Sequence, residues 1–134
     1  QKNFIILVPT ISAALKCFEP ISDEQGIFLN KIWPGHTTVI HQANTGIPSK
    51  LKALDNTIAV RVSDHLPLLN LLTTTKKPMV STSANITKFP TPAVLVDVIK
   101  NFHDPDVAVY AHSNGSAKKP SAIVRLQTME YIRE

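Results

Sequence analysis

Glycine is scarce in this chain, with four in 134 residues, and neither GxGxxG nor GxxxxGK[ST] occurs. That excludes the glycine-rich phosphate loops of the common dinucleotide-binding and P-loop folds. Cys17 is the single cysteine, so an internal disulfide framework is excluded. Its neighbours Leu15 and Phe18 predict a buried thiol rather than a catalytic one. No cysteine pair, HExxH or His/Asp cluster supplies metal ligands, so no protein-held metal is expected. GxSxG is absent as well, which disfavours the common hydrolases. The five histidines are scattered, at 36, 41, 65, 103 and 112, and each reads as a surface or satisfied histidine. No apolar run approaches the roughly 18 residues of a membrane span, and no signal-peptide pattern is visible. The expected compartment is the cytoplasm, with no membrane partner. Runs of Lys or Arg stop at two residues. The net charge of +4 and pI of about 9.3 therefore suit an anionic small molecule or an occasional RNA contact better than a dedicated nucleic-acid surface.

What the chain does have is core-forming material, at 43% hydrophobic and 18% charged. At this length it is read as a single domain over residues 1–134. Phe4 to Val8 is an apolar run ended by Pro9 and predicts a buried strand. Thr10 or Ser12 caps a helix that ends before Pro20, and a second helix starts at Ser22 and runs to Trp33. Pro34-Gly35 then makes a rigid turn, in which Pro fixes φ and Gly permits φ > 0. Strands follow at Thr37 to Ile40 and Thr57 to Val62, with a loop over 42–50 and a short helical turn from Ser49 to Leu54. Asp64 is expected to cap a leucine-rich helix that closes by Lys77. Pro78 to Ser81 is a strand. Thr91-Pro92 reads as the start of a helix whose inner face is Val94, Leu95, Val98 and Ile99. Val107 to Tyr110 reads as a strand, His112 to Pro120 as a loop, and 122–126 with 130–133 as short strands or a hairpin. Alternating strands and helices predict an α/β layer architecture.

Three places carry candidate chemistry. Ser81, Thr82, Ser83 and Asn85 cluster directly after the 78–81 strand, where open α/β sheets place ligands. Arg61 stands mid-strand, opposite in direction to Val60 and Val62. A carboxylate or phosphate clamp, a solvated sheet face and a structural ion pair with an acid such as Asp64 all fit it. The segment from Ser113 to Ser121 reads as a positive loop.

The order of the pieces is more specific than any one of them. Trp33-Pro34-Gly35 with Thr38-Val39, Ala59 to His65, Pro78 to Asn85, Pro90-Thr91-Pro92, Pro120-Ser121 and the terminal Ile132-Arg133-Glu134 together resemble the YrdC-like family, the threonylcarbamoyl-AMP synthases. The resemblance covers essentially the whole chain. It implies a YrdC-like twisted open mixed sheet with flanking helices and a concave basic cavity. It implies a nucleotidyltransferase that converts L-threonine, bicarbonate and ATP to threonylcarbamoyl-AMP and pyrophosphate, for threonylcarbamoyladenosine synthesis on tRNA. By position, the resemblance assigns Lys2, Thr57, Ser83, Asn85, Thr91 and Arg133 to ATP, and Arg61, Ser81 and Ser121 to threonine. It assigns no catalytic side chain, because orientation and charge neutralisation can do most of the work. Mg2+ is expected on the triphosphate rather than in a protein cage, with no tightly bound cofactor. The implied partners are ATP, L-threonine and bicarbonate, with tRNA or double-stranded RNA and downstream tRNA-modification proteins beyond them. The alternatives are a non-catalytic tRNA or double-stranded RNA-binding module of this fold and a carbamoyl-transfer maturation domain.

Three departures from the family pattern stand out. His36 replaces the usual proline after Trp-Pro-Gly, and Arg125 replaces a usual acid. The family pattern also has roughly fifty residues before this point, judged against ordinary domain sizes. They include a Lys-x-Arg pair, and Lys2 looks like the last basic residue of that region. The chain is therefore expected to be amino-terminally incomplete, and a protein starting at Gln1 is expected to have weak or no synthetic activity.

Overall fold

A computed structural model describes residues 4–86, 88–112 and 119–134. The chain falls into two compact units, one of residues 1–81 with 116–134 and one of residues 82–115. The first unit is built on a six-stranded mixed sheet. Its strands are β1 (Ile5–Val8), β2 (Thr37–Gln42), β3 (Thr57–Val62), β4 (Met79–Ser81), β5 (Ala122–Arg125) and β6 (Glu130–Arg133), ordered β4-β1-β3-β2-β5-β6. β1 with β3 and β2 with β5 are parallel, and the other neighbours are antiparallel. This is the mixed open α/β sheet expected from the sequence.

Helices α1 (Ile11–Leu15) and α2 (Asp23–Ile32) connect β1 to β2. Of the two caps offered for α1, Thr10 is the one used, its hydroxyl oxygen accepting from the Ala13 N–H at 3.1 Å. Ser22 opens α2 with a reciprocal capping box: Ser22 Oγ accepts from Gln25 N–H, and Gln25 Oε1 accepts from Ser22 N–H. One sheet face meets these helices. Ile6, Val8, Val39, Ile58, Val60, Val62, Val124 and Leu126 pack there with Ala14, Leu29, Phe18 and Trp33. Each fully buried Val or Leu of this layer contributes about 1.5–3 kcal/mol of transfer free energy. Cys17 belongs to the same layer and donates weakly to the Ala13 carbonyl, and burial pushes its thiol above the ordinary value. It is the structural thiol that its neighbours predict.

Three local details differ from the sequence reading. Gly35 does not use a positive φ. Its requirement is space, since a Cβ there would stand 3.0 Å from the Ile32 carbonyl oxygen. The turn is held by Gly35 N–H donating to Val62 O at 2.8 Å and Trp33 Nε1–H donating to Thr37 O at 2.8 Å, around a cis Trp33-Pro34 bond. The leucine-rich helix α3 (Leu66–Thr75) is capped at His65, not Asp64; the Ser63 hydroxyl accepts the His65 N–H and makes the turn before it. The helical turn after the 43–48 loop is a 3-10 turn confined to Ser49–Leu51.

In the second unit, helix α4 (Leu95–Asn101) starts at Leu95 with Val94 as its cap, so Thr91-Pro92 lie before the helix rather than opening it. Val94, Leu95 and Ile99 are exposed there, and of the expected inner face only Val98 is half-buried. Val107 to Tyr110 is not a strand. A period-2 apolar pattern makes a strand only with a partner for its backbone groups, and no described residue pairs with it. Residues 113–118 of the expected loop lie outside the described residues. Among those described, no helix is long and apolar enough to cross a membrane.

Candidate functional site

The second face of the sheet carries the polar groups. Side chains alternate along a strand, and paired residues share a face. One row across this face is Ser81, Ile5, Ala59, Ile40 and Arg125, fixed by four successive pairings. The next row holds Met79, Leu7 and Arg61. The Val39–Val60 pairing, continued one step, sets Thr38 beside Arg61. Thr57 stands two residues before Ala59, so it faces the same way. Phe4, Ile40, Leu51, Ala53, Thr57 and Ala59 line a small open cleft there.

Arg61 is the most unusual group on this face. It is half-buried, and its Nε is buried with no hydrogen-bond partner among the described residues. Burial pulls the guanidinium below its ordinary value, and the charge of Asp64 opposes that. No ion pair with Asp64 forms among the described residues. Leaving a buried donor of a charged group unmade costs about 1–3 kcal/mol or more. A donor held this way is prepared for an acceptor that arrives from outside.

Ser121 is drawn to the same place. Its Oγ lies 3.0 Å from Thr38 Oγ1, and both residues are buried. Arg133 Nε and Nη2 donate to the Ser121 carbonyl oxygen at 3.0 and 2.7 Å. His36 Nε2 lies 3.0 Å from Lys119 O, and Ala122 N–H donates to His36 O. The segment 119–122 is therefore pinned from β2 on one side and β6 on the other. His36, at the position where the resemblance leads one to expect proline, supplies one of these pins. Sequence reasoning did not single out Thr38 as a site residue. The available signal was a hydroxyl in a strand position directly before Val39 and Ile40, on the opposite face from Val39.

Thr57 is committed locally, its hydroxyl donating to Asp55 Oδ1 at 2.7 Å. That bond is the main reason the Asp55 carboxyl lies below its usual range. Arg125 pairs loosely with the same carboxylate at 3.8 Å. Of the residues assigned from sequence, the first unit brings Thr57, Arg61, Ser81 and Ser121 to one face, with the Arg133 guanidinium reaching Ser121. Lys2 lies outside the described residues.

Ser83, Asn85 and Thr91 belong to the second unit. Ser83 and Thr91 are exposed. Asn85 Nδ2 donates to Ile86 O and Phe89 O at 3.0 and 2.8 Å, which ties the turn, while its Oδ1 is buried without a partner among the described residues. Strand β4 ends at Ser81 and the chain bends at 84–85, so the alternation that would align Ser81, Ser83 and Asn85 does not continue past β4. Among the described residues, no group of three or more His, Cys, Asp or Glu could hold a metal ion.

Comparisons with known proteins agree with this architecture. A family model described as "Telomere recombination" (Sua5, YciO, YrdC) matches residues 1–134. A protein of Enterobacter sp. strain 638 named threonylcarbamoyl-AMP synthase is 33% identical over 98% of this chain and 66% of its own length. One of Buchnera aphidicola with the same name is 36% identical over 75% of this chain and 53% of its own. The chain thus spans between half and two thirds of the length of these relatives. Among solved structures, P. abyssi Sua5 complexed with L-threonine superposes with a TM-score of 0.83 at 22% identity, over 92% of this chain and 36% of that one, a likeness of fold. With the family match running the whole length of the chain and a relative one-third identical along nearly all of it, the chain belongs to the Sua5/YciO/YrdC family.

Proposed function

We propose that the second sheet face is the amino-acid side of an L-threonylcarbamoyladenylate synthase site. The observation that carries this is Arg61: a buried Nε with no partner among the described residues, on the face that also holds Ser81 and Ser121. A guanidinium forks a carboxylate through two parallel N–H donors. Arg61 would take the threonine carboxylate, and Ser81 and Ser121 would position the amino acid's polar groups. The names of the curated relatives and the threonine bound in P. abyssi Sua5 support this ligand.

The ATP assignments of Lys2, Thr57, Ser83, Asn85, Thr91 and Arg133 are those the family resemblance implies, with Mg2+ arriving on the triphosphate as part of the substrate. The buried Asn85 Oδ1, which has no partner among the described residues, is suited to a nucleotide donor. Arg61 and Arg125 would supply part of a positive lining. The threonine amine would combine with bicarbonate to give a carbamate and water. A carbamate oxygen would then bond to the α-phosphorus as the bond to the β-phosphate oxygen breaks, releasing pyrophosphate. This needs no protein nucleophile. Fixing the carbamate in line with the α-phosphorus and neutralising the charge supply the acceleration. The product would serve tRNA threonylcarbamoyladenosine synthesis in the cytoplasm.

The test is incubation of the full-length protein that carries this chain with ATP, bicarbonate and Mg2+, with and without L-threonine. The expected result is pyrophosphate release that depends on threonine. Release at the same rate without threonine, or none in either case, would overturn the proposal.

A further inference from the structure

We infer that Thr38 is a positioning residue, which presents the Ser121 hydroxyl to the ligand as a hydrogen-bond donor. Thr38 is fully buried on β2, and its register places it beside Arg61. Its only side-chain hydrogen bond among the described residues is the 3.0 Å contact with Ser121 Oγ. Two hydroxyls in contact share one proton, so the direction of donation is decided by what each would otherwise lose. If Ser121 donated to Thr38, the Thr38 proton would be buried with no acceptor, the costly arrangement. If Thr38 donates to Ser121, that proton is satisfied and only a second lone pair on Thr38 goes unused. Arg133 points the same way. A guanidinium only donates, and its Nη2 lies 3.5 Å from Ser121 Oγ as well as on the Ser121 carbonyl. Both neighbours therefore give hydrogens to Ser121 Oγ, and the Ser121 proton is left to point away from them.

The group that Ser121 meets is therefore an acceptor: a carboxylate or carbamate oxygen, not an ammonium. This fits an anionic group shared between Arg61 and Ser121, both of which adjoin Thr38. The inference rests on the assignment of Ser121 to threonine made above, and it adds a polarity and a supporting residue to that assignment.

The test uses the full-length protein and reads dissociation constants for L-threonine and ATP by calorimetry, with a thermal melt for each variant. Thr38→Val keeps the shape and removes the hydroxyl. It is expected to weaken threonine binding by about fivefold, the scale of one hydrogen bond, with ATP binding unchanged. Thr38→Ser keeps the hydroxyl and is expected to stay within about twofold of wild type. Ser121→Ala should weaken threonine binding by a similar factor, and Thr38→Val/Ser121→Ala should be no worse than Ser121→Ala alone. If Ser121→Ala weakens threonine binding and Thr38→Val does not, the inference fails while the Ser121 assignment stands. If Ser121→Ala leaves threonine affinity unchanged, the assignment fails and the inference falls with it. Additive losses, or equal losses for ATP and threonine in Thr38→Val, would make Thr38 merely structural and overturn the inference. Thr38→Ala replaces the valine variant if that does not fold. Failure of both to fold would also assign Thr38 a structural role alone.

Discussion

Arg133, on the edge strand β6, forks the carbonyl oxygen of Ser121 with Nε and Nη2 at 3.0 and 2.7 Å. The edge of the sheet is thereby tied to the segment that carries a proposed ligand contact. Arg133→Ala is expected to lower stability by about 1 kcal/mol, the net scale of such bonds at a partly exposed site, and the melting temperature by about 3–5 °C. Arg133→Lys keeps the charge but not the fork, so it should melt with the alanine variant. A thermal melt decides. A lysine variant that melts with wild type would mean that charge alone matters here.

His41 ties stability to pH. Its ring stands edge-on to Phe18 at 5.4 Å, and its Nδ1 is buried without a partner among the described residues. Burial pulls its pKa below the ordinary 6.5, against the opposing charge of Glu19. The fold therefore favours the neutral ring. Between the lowered folded value and 6.5, the unfolded chain binds more protons, so stability rises with pH across that window. The contribution is complete above 6.5 and is lost as pH falls below it. Urea denaturation at about pH 8 and about pH 5 should show wild type losing more stability on acidification than His41→Gln. Equal losses would remove His41 as a cause.

Two glycines should respond in opposite directions to alanine. At Gly35 the new Cβ meets the Ile32 carbonyl oxygen at 3.0 Å, a backbone atom that cannot swing aside. Gly35→Ala is expected to cost about 1–3 kcal/mol, the usual scale of overpacking. At Gly26, inside α2, the nearest atom is the end of the Ile21 side chain at 3.9 Å. Gly26→Ala should gain up to about 1 kcal/mol from helix propensity. Denaturant midpoints with unchanged slopes would carry both signs.

Much of the first unit is legible in the sequence, because its elements state themselves locally. β3 runs over the same residues, Thr57–Val62, that its alternating pattern marks, and Ser22 with Gln25 announces the start of α2. The second unit is less legible. Val107 to Tyr110 has the composition of a strand but lacks a partner, and α4 begins past the Thr91-Pro92 signal. Pairing and packing outrank local propensity in both cases. For the candidate site, Arg61, Ser81 and Ser121 were available as residue types, but their meeting on one face depends on sheet order. β1 lies between β4 and β3, and β2 pairs in parallel with β5. Such non-local pairings, and with them the Thr38–Ser121 contact, leave no local trace in the chain.

The measurement closest to the central claim is threonine binding to Arg61→Gln in the full-length protein, by calorimetry. A charge-assisted bond to a carboxylate is worth about 1.5–3 kcal/mol, which corresponds to a loss of about 10- to 150-fold in affinity. The melting temperature should hold or rise, because an unpartnered buried donor is removed. The account predicts that combination. Threonine affinity within about twofold of wild type in a folded Arg61→Gln variant would contradict it.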